Sequence, residues 1–210
     1  MRGKHVFITG AGSGLGRLLS LKFAKLGSKL TISDLNLEGV EETKRMIKQA
    51  TGNDANVLAL KMDVSSRDNV RDVCQDARTK FGGVDVLINN AGVVQGKACH
   101  EMSEGFAGKT MIINAESHFW LVKEFIDSMM QKNSGHIVSI SSIAGLAGTP
   151  GMTDYCASKF AAYGFQEALR VEMKHFNKNI HCTTICPFYF NSGMFEGVKC
   201  SLIYPLLTQE

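Results

Sequence analysis

The sequence predicts an α/β fold, in which a parallel β-sheet is flanked by helices. Short apolar runs with the character of β-strands alternate along the chain with longer stretches of helical periodicity. Strands joined through helices pair in parallel by right-handed crossovers. The 210 residues, of which 44% are hydrophobic and 20% charged, suit one compact domain. Because we see neither an internal repeat nor a Pro/Ser-rich linker, residues 1–210 are expected to form that single domain.

The strands and helices can be placed in order along the chain. Strands are expected at residues 6–8, 30–34, 57–60, 84–88, 136–140 and 180–185. The first helix follows a glycine-rich turn and ends at Gly27. Further helices are expected at 37–50, from Ser65 or Ser66 to about 81, and at 154–176. The helix before the fifth strand carries an apolar stripe, expected to face the sheet or a dimer partner: Ile112, Ala115, Phe119, Val122, Ile126 and Met129.

Charge and cysteine spacing exclude several classes of function. The net charge is only +3 and no run of five like charges occurs, so nucleic acid is not an expected partner. None of the six cysteines forms a C-x-x-C pair, and the histidines lack ligand-like spacing, so no metal is expected. No signal peptide or membrane-spanning apolar run is seen, which predicts a cytoplasmic location for the chain as given.

The turn from Thr9 to Gly16 joins the first strand to the first helix. Glycines let a backbone approach phosphates closely and adopt a positive φ. The start of a helix presents free N–H groups and a partial positive charge. In this position the pattern predicts a pyrophosphate site rather than a merely flexible turn. The candidate residues are Gly10, Ser13, Gly14, Leu15 and Gly16.

Two acidic residues end the second and third strands. Asp34 can accept hydrogen bonds from both ribose hydroxyls of NAD and would repel a 2′-phosphate, which favours NAD over NADP. Its placement is also compatible with a helix cap. Asp63, followed by Val64, could hold an adenine amino group or cap the next helix, and position alone does not separate these readings.

Tyr155 and Lys159 are four residues apart on a predicted helix and therefore share one face. A neighbouring ammonium favours the phenolate and lowers the pKa of a tyrosine, which makes the pair a tuned acid/base. By spacing alone, such a pair is more often an amphipathic surface pair.

Two more polar residues fit the same chemistry. Ser142 ends the fifth strand and can hydrogen-bond a substrate oxygen. Asn114 lies within an apolar run near the start of the long helix. It is either a buried amide that kinks the helix and holds a water leading to Lys159, or a surface residue.

Taken together, these residues resemble the short-chain dehydrogenases/reductases. The matching elements run from residue 6 to about 195, in order and at family spacing. They are Thr9-Gly10-x-x-x-Gly14-x-Gly16, Asp63-Val64, Asn89-Asn90-Ala91-Gly92, Asn114, Ser142, Tyr155-x-x-x-Lys159 and Pro187.

The resemblance implies a Rossmann-like, doubly wound parallel sheet and a catalytic tetrad. Tyr155 would exchange the hydroxyl proton while hydride moves to or from the nicotinamide. Ser142 would orient the substrate oxygen, Lys159 would bind the nicotinamide ribose, and Asn114 would support a proton relay. The motif residues Asn90, Ala91, Gly92 and Pro187, together with Ser192 at the position of a carboxamide-binding threonine, are expected to contact the cofactor.

More narrowly, the run from Asp154 to Ala162 and the later run from Gly193 to Gly197 are similar to the epidermal-type retinol dehydrogenases and the 17β-hydroxysteroid dehydrogenases of lipid droplets. This implies a lipophilic alcohol or carbonyl substrate, such as a retinol or a steroid, and NAD. The apolar segment Phe188-Tyr189-Phe190 would suit such a ligand. A homodimer through the two long helices is also possible.

Family members continue beyond the equivalent of Glu210 through a helix and a seventh strand, which this chain is expected to lack. Two alternatives therefore stay open. One is a truncated, catalytically weak nucleotide-binding protein that acts by interaction at a lipid surface; the other is an NADPH-dependent carbonyl reductase. Membrane contact, at the endoplasmic reticulum or a lipid droplet, would require an upstream anchor.

Overall fold

Six parallel strands at the centre of the molecule confirm the predicted α/β architecture. The computed structural model describes residues 1–103 and 105–188. The strands are β1 (His5–Thr9), β2 (Lys29–Asp34), β3 (Val57–Lys61), β4 (Val86–Asn89), β5 (Gly135–Ile140) and β6 (Ile180–Ile185). They form one sheet in the order β3-β2-β1-β4-β5-β6. Because the order reverses between β1 and β4, the sheet is doubly wound, and a crevice opens at the carboxyl ends of the strands.

The helices alternate with the strands as predicted. They are α1 (Gly14–Lys25), α2 (Leu37–Thr51), α3 (Arg67–Phe81), α4 (Phe106–Met111), α5 (Ser117–Lys132) and α6 (Thr153–His175). Ser66 caps α3, since its side chain accepts a hydrogen bond from the backbone N–H of Asn69. The cap of α2 is Asn36, which accepts from the N–H of Gly39 in the same way.

Each face of the sheet is covered by its own apolar layer. Strand residues alternate between the layers, as Phe7 and Leu87 pack against α3 and α5 while Val6 and Ile8 pack against α1 and α2. Burial on both faces explains why these strands read as nearly continuous hydrophobic runs. The structure thereby leaves the carboxyl ends of the strands as the place where polar residues meet.

The prediction of a single long helix before β5 is wrong in one respect. A π-helical segment, Ile112–Glu116, separates α4 from α5. The wider turn of a π-helix inserts one residue into the helical repeat and changes which residues share a face. Phe119, expected in the apolar stripe, is 53% exposed, whereas Leu121 and Phe125 are buried. Strict helical periodicity could not reveal this insertion.

Within the described residues, no helix has both the length and the apolar character needed to cross a membrane.

Candidate active site

A cavity of about 560 Å³ lies at the carboxyl ends of the strands and brings most of the predicted site residues together. From the glycine-rich turn and β2 it is lined by Gly10, Ser13, Gly14, Leu15 and Asp34. From the ends of β4 and β5, from α6 and from the segment after β6, it is lined by Asn90, Ala91, Gly92, Ser142, Tyr155, Lys159 and Pro187. Residues more than 140 positions apart in the sequence thus share one cavity.

Five predicted residues do not line the cavity or cannot be placed. The residues that line the cavity do not include Gly16, Asp63, Val64 or Asn114. Ser192 falls outside the described residues, and so do Tyr189 and Phe190 of the apolar segment. The neighbouring Phe188 does line the cavity and is half exposed.

The glycine-rich turn needs its glycines because other backbone lies very close to it. A Cβ on Gly16 would sit 2.1 Å from the carbonyl oxygen of Gly10, so Gly16 sets how tightly α1 approaches β1. Gly10 has φ +65° and Gly14 has φ +48°, a region in which other residues are strained. At the start of α1, the side chain of Ser13 makes no capping hydrogen bond, which leaves the first N–H groups of the helix to face the cavity.

Asp34 is held rigidly at the end of β2. Its carboxylate accepts hydrogen bonds from the backbone N–H of Gly12 at 3.0 Å and of Asn36 at 3.0 Å. Because each carboxylate oxygen has further acceptor capacity, Asp34 can still accept from a ligand hydroxyl in the cavity. The basic residue Arg17 donates to the carbonyl oxygen of Gly12 and, at 3.0 Å, to the hydroxyl of Thr43. The guanidinium is therefore engaged within the fold.

Thr9 belongs to the glycine-rich motif, but the sequence did not predict it as a residue of the site. It is buried, and its hydroxyl oxygen accepts from the backbone N–H groups of Asn90 and Ala91, both at 3.0 Å. The Asn90 amide returns hydrogen bonds to the carbonyl oxygens of Thr9 at 2.8 Å and Gly10 at 3.0 Å. These bonds join the end of β4 to the glycine-rich turn, so Asn90 supports the wall that it lines. The feature of the sequence that could have indicated this role is the position of Thr9 directly before Gly10.

Asp63 and Val64 lie at the entrance to α3. The carboxylate of Asp63 accepts from the N–H of Ser65 at 2.9 Å and from its hydroxyl at 2.6 Å. These contacts close the turn that precedes α3, whose cap is Ser66, so the carboxylate of Asp63 is not the cap of this helix. Val64 is buried in the apolar layer on the α3 side.

Asn114 lies in the π-helical segment and is fully buried, so the alternative of a surface asparagine is wrong. Its amide oxygen accepts from the backbone N–H of Val93 at 2.8 Å. Its amide nitrogen donates to the carbonyl oxygen of Val93 at 2.9 Å and to the hydroxyl of Ser158 at 3.0 Å. Asn114 thereby ties the loop after β4 to α6. A Cβ on Gly92 would contact both the amide oxygen of Asn114 and the ammonium of Lys159, so these two polar groups border the same small space.

Lys159 is only 3% exposed, although its side chain carries an ammonium. The ammonium donates to the carbonyl oxygen of Ile140 at 2.8 Å and lies 5.5 Å from the centre of the Tyr155 ring. Burial lowers the pKa of Lys159 from 10.5 to about 8, while the Cys186 side chain acts in the opposite direction. The predicted shared face of Tyr155 and Lys159 is confirmed, and it points into the cavity rather than to the surface.

Tyr155 and Ser142 complete this end of the cavity. Tyr155 lies in the first turn of α6 and is 4% exposed. Ser142 follows β5, and its hydroxyl oxygen accepts from the N–H of Ala144 at 3.1 Å. That contact leaves the hydroxyl hydrogen of Ser142 to be donated toward the cavity. The arrangement can exchange a proton through Tyr155 next to a hydrogen-bond donor and a buried cation.

Comparison with known proteins gives a consistent result. The family model described as short chain dehydrogenase matches residues 4–200. Short-chain dehydrogenase/reductase family 16C member 6 from Bos taurus is 47% identical, over 99% of this chain and 66% of that protein. Epidermal retinol dehydrogenase 2 from Homo sapiens is 45% identical, over 98% of this chain and 67% of that protein. The chain spans about two thirds of the length of these curated relatives.

Solved structures agree with the fold. A short chain dehydrogenase/reductase from Burkholderia phymatum in complex with NAD has a TM-score of 0.88 and 33% sequence identity, covering 93% of this chain and 69% of that one. Levodione reductase also has a TM-score of 0.88, with 28% identity, covering 93% of this chain and 75% of that one.

Proposed function

Because the chain belongs to the short-chain dehydrogenase family, we propose that it interconverts an alcohol and its carbonyl compound by hydride exchange with a nicotinamide dinucleotide. The observation that carries the proposal is the shared cavity. Tyr155, Lys159 and Ser142 line the same cavity as the glycine-rich turn and Asp34. A proton-exchanging group and a dinucleotide cradle would therefore act on one bound substrate.

The residues present fit a dinucleotide. The turn from Gly10 to Gly16 offers glycine backbone and uncapped helix N–H groups to a pyrophosphate, and Asp34 offers a carboxylate to a ribose. Asn90, Ala91, Gly92 and Pro187 would border the rest of the cofactor, and we extend this role to Ser192, Asp63 and Val64 as expectations from the family pattern. When bound, the nicotinamide ring supplies or accepts the hydride.

Tyr155 is proposed to take the proton of a substrate hydroxyl during oxidation and to return it during reduction. The Lys159 ammonium, 5.5 Å from the ring centre, favours the phenolate form that accepts this proton. Ser142 donates a hydrogen bond to the substrate oxygen and fixes its position beside Tyr155. Asn114 holds the loop after β4 and the first turns of α6 together, which keeps Tyr155 and Lys159 in place.

We infer that NAD is the preferred cofactor. The Asp34 carboxylate is fixed in the cavity wall and would repel the charge of a 2′-phosphate. Arg17 is engaged by Gly12 and Thr43. Fluorescence titration with NADH and NADPH side by side tests this point, and tighter binding of NADPH would contradict it.

We propose a lipophilic alcohol as the substrate, of the retinol or steroid type. Relatives at 41–47% identity include three named as retinol dehydrogenases. The cavity is bordered by apolar side chains at its Tyr155 end, among them Val94, Met152 and Phe188. Incubation with NAD⁺ and either retinol or estradiol should produce NADH; short-chain alcohols turned over faster than both would contradict the lipophilic assignment.

We also propose a homodimer through α5 and α6. Phe119 and Phe165 pack against each other on this surface, with ring centres 4.1 Å apart and the ring planes tilted by 44°. Phe119 is 53% exposed, and Phe160 and Val171 on α6 are also exposed. Large exposed apolar side chains on two neighbouring helices are typical of an interface. Sedimentation of the chain should show a dimer, and Phe119→Glu should convert it to a monomer; a monomeric unmutated chain would contradict the proposal.

A further inference from the structure

Three buried polar side chains behind Lys159 connect β5 to both helices that pack on it. They are His118 on α5, Ser139 on β5 and Gln166 on α6, and each is at most 1% exposed. None of them has a part in the proton exchange proposed above. Buried polar groups of this kind are expected only where their hydrogen bonds are satisfied.

The hydrogen bonds of this group determine where each hydrogen lies. Gln166 donates from its amide nitrogen to the carbonyl oxygen of Ile137 at 2.7 Å, so its amide oxygen faces Ser139. Ser139 donates its only hydroxyl hydrogen to that oxygen at 2.8 Å. The contact of 3.3 Å between the Ser139 oxygen and Nδ1 of His118 then requires the ring to donate. His118 therefore carries its hydrogen on Nδ1.

His118 stays uncharged near neutral pH. Burial lowers the pKa of its imidazole to about 3, and the nearby positive charge of Lys159 acts in the same direction. Among residues 1–103 and 105–188, the titratable side chains that interact with Lys159 are Tyr155 on its own helix, His118 from α5 and Cys186 after β6. Only Lys159 in this group is a cation.

Ser139 directly precedes Ile140, the residue whose carbonyl group holds the Lys159 ammonium. Ile140 follows Ser139 in β5, and its carbonyl oxygen accepts from the Lys159 ammonium at 2.8 Å. We propose that His118 is a positioning residue for Lys159: through Ser139 it holds the end of β5 against α5, so that the Ile140 carbonyl keeps the ammonium in place. The importance of His118 for catalysis rests on the proposed function. Its effect on the placement of the Lys159 ammonium does not.

The first experiment needs no turnover. In ¹⁵N-histidine NMR of the full chain, His118 should show the neutral Nδ1–H form throughout pH 5 to about 9. An Nε2–H form, or titration with an ordinary histidine pKa of about 6.5, would overturn the proposal.

The second experiment measures the pKa of Lys159 by NMR in four variants. In His118→Leu and Ser139→Ala, the Ile140 carbonyl should hold the ammonium less well, and the pKa should fall by about half a unit or more. His118→Asn retains an N–H near the position of Nδ1 and should restore most of the loss. Ser117→Ala is the matched control, since Ser117 is equally buried but its hydroxyl donates to Ile113 in the preceding π-helical segment rather than to β5. An unchanged Lys159 pKa in both Ser139→Ala and His118→Leu would overturn the proposal.

The third measurement links the position to catalysis. His118→Leu should lower kcat about tenfold while the alcohol KM changes less than about twofold, because misplacement of a reacting group slows the chemical step. Loss of kcat equally in Ser117→Ala would contradict a specific role. Absence of turnover in the unmutated chain would count against the proposed function alone, and the two NMR experiments would still decide the position of His118.

Discussion

Replacement of Lys159 by methionine should abolish the acid/base pair and, at the same time, make the folded protein more stable at neutral pH. Methionine has a similar length and no charge. Lys159 is 3% exposed, and its ammonium donates a hydrogen bond to the Ile140 carbonyl. The buried cation therefore lowers the free energy of unfolding, and it is retained for its function rather than for stability.

The magnitude follows from the pKa of the buried ammonium. Burial lowers the pKa of Lys159 from 10.5 to about 8. Each unit between the unfolded and the folded value corresponds to roughly 1.4 kcal/mol. The free energy of unfolding is therefore lower by about 3 kcal/mol at pH 7 than it would be without the charge. The lost hydrogen bond to Ile140 reduces the net gain in Lys159→Met by about 1 kcal/mol.

The dependence on pH has a definite sign. Because the folded pKa is lowered, the unfolded chain binds more protons than the folded chain between pH 8 and 10.5. The cost is fully present below pH 8 and disappears as the pH rises toward 10.5. The stability advantage of Lys159→Met should therefore be largest near pH 7 and should decline through that window.

Urea unfolding followed by circular dichroism at pH 7 and at about pH 10 measures both effects. Lys123→Met is the matched control, since Lys123 is an exposed lysine on α5 and its removal should leave stability within about 0.5 kcal/mol. If Lys159→Met were less stable than the unmutated chain at pH 7, or if the difference did not change with pH, the reasoning from ammonium burial would be refuted.

Two further substitutions test the cofactor end. Gly16→Ala should destabilise the fold by about 2 kcal/mol and impair NADH binding, because its Cβ would lie 2.1 Å from the Gly10 carbonyl oxygen. Gly108→Ala on α4, where a Cβ meets no atom within 4 Å, is the control in thermal unfolding; equal effects of the two substitutions would contradict the steric account. Asp34→Asn removes the negative charge that faces a 2′-phosphate, and should raise NADPH affinity relative to NADH by about tenfold in a fluorescence titration. An unchanged ratio would show that Asp34 does not set the preference.

The sheet and the cavity could be predicted from the sequence because both depend on local patterns. Buried parallel strands are continuous apolar runs, and the polar residues that follow them must meet at one edge of the sheet. Asp34 and Ser142 were placed by that rule alone. Tyr155 and Lys159 needed only the helical spacing of four residues, together with a cavity for their shared face.

What the sequence could not show depends on contacts between distant segments. The π-helical segment around Asn114 is stabilised by Val93 and Ser158, which local periodicity does not contain. Thr9 is important because its hydroxyl accepts from Asn90, some eighty residues later. The hydrogen-bonded group behind Lys159 is likewise invisible in the sequence, since His118 reads there as one histidine without ligand-like spacing.

The most direct test of the central claim compares Tyr155→Phe with the unmutated chain, in oxidation of a lipophilic alcohol with NAD⁺ and in NADH binding. Phenylalanine fills the same space and lacks only the hydroxyl that exchanges the proton. Turnover should fall by roughly 10²–10⁴-fold, while the Kd for NADH should change little. Turnover by Tyr155→Phe equal to that of the unmutated chain would contradict the assignment of Tyr155 as the proton-exchanging group.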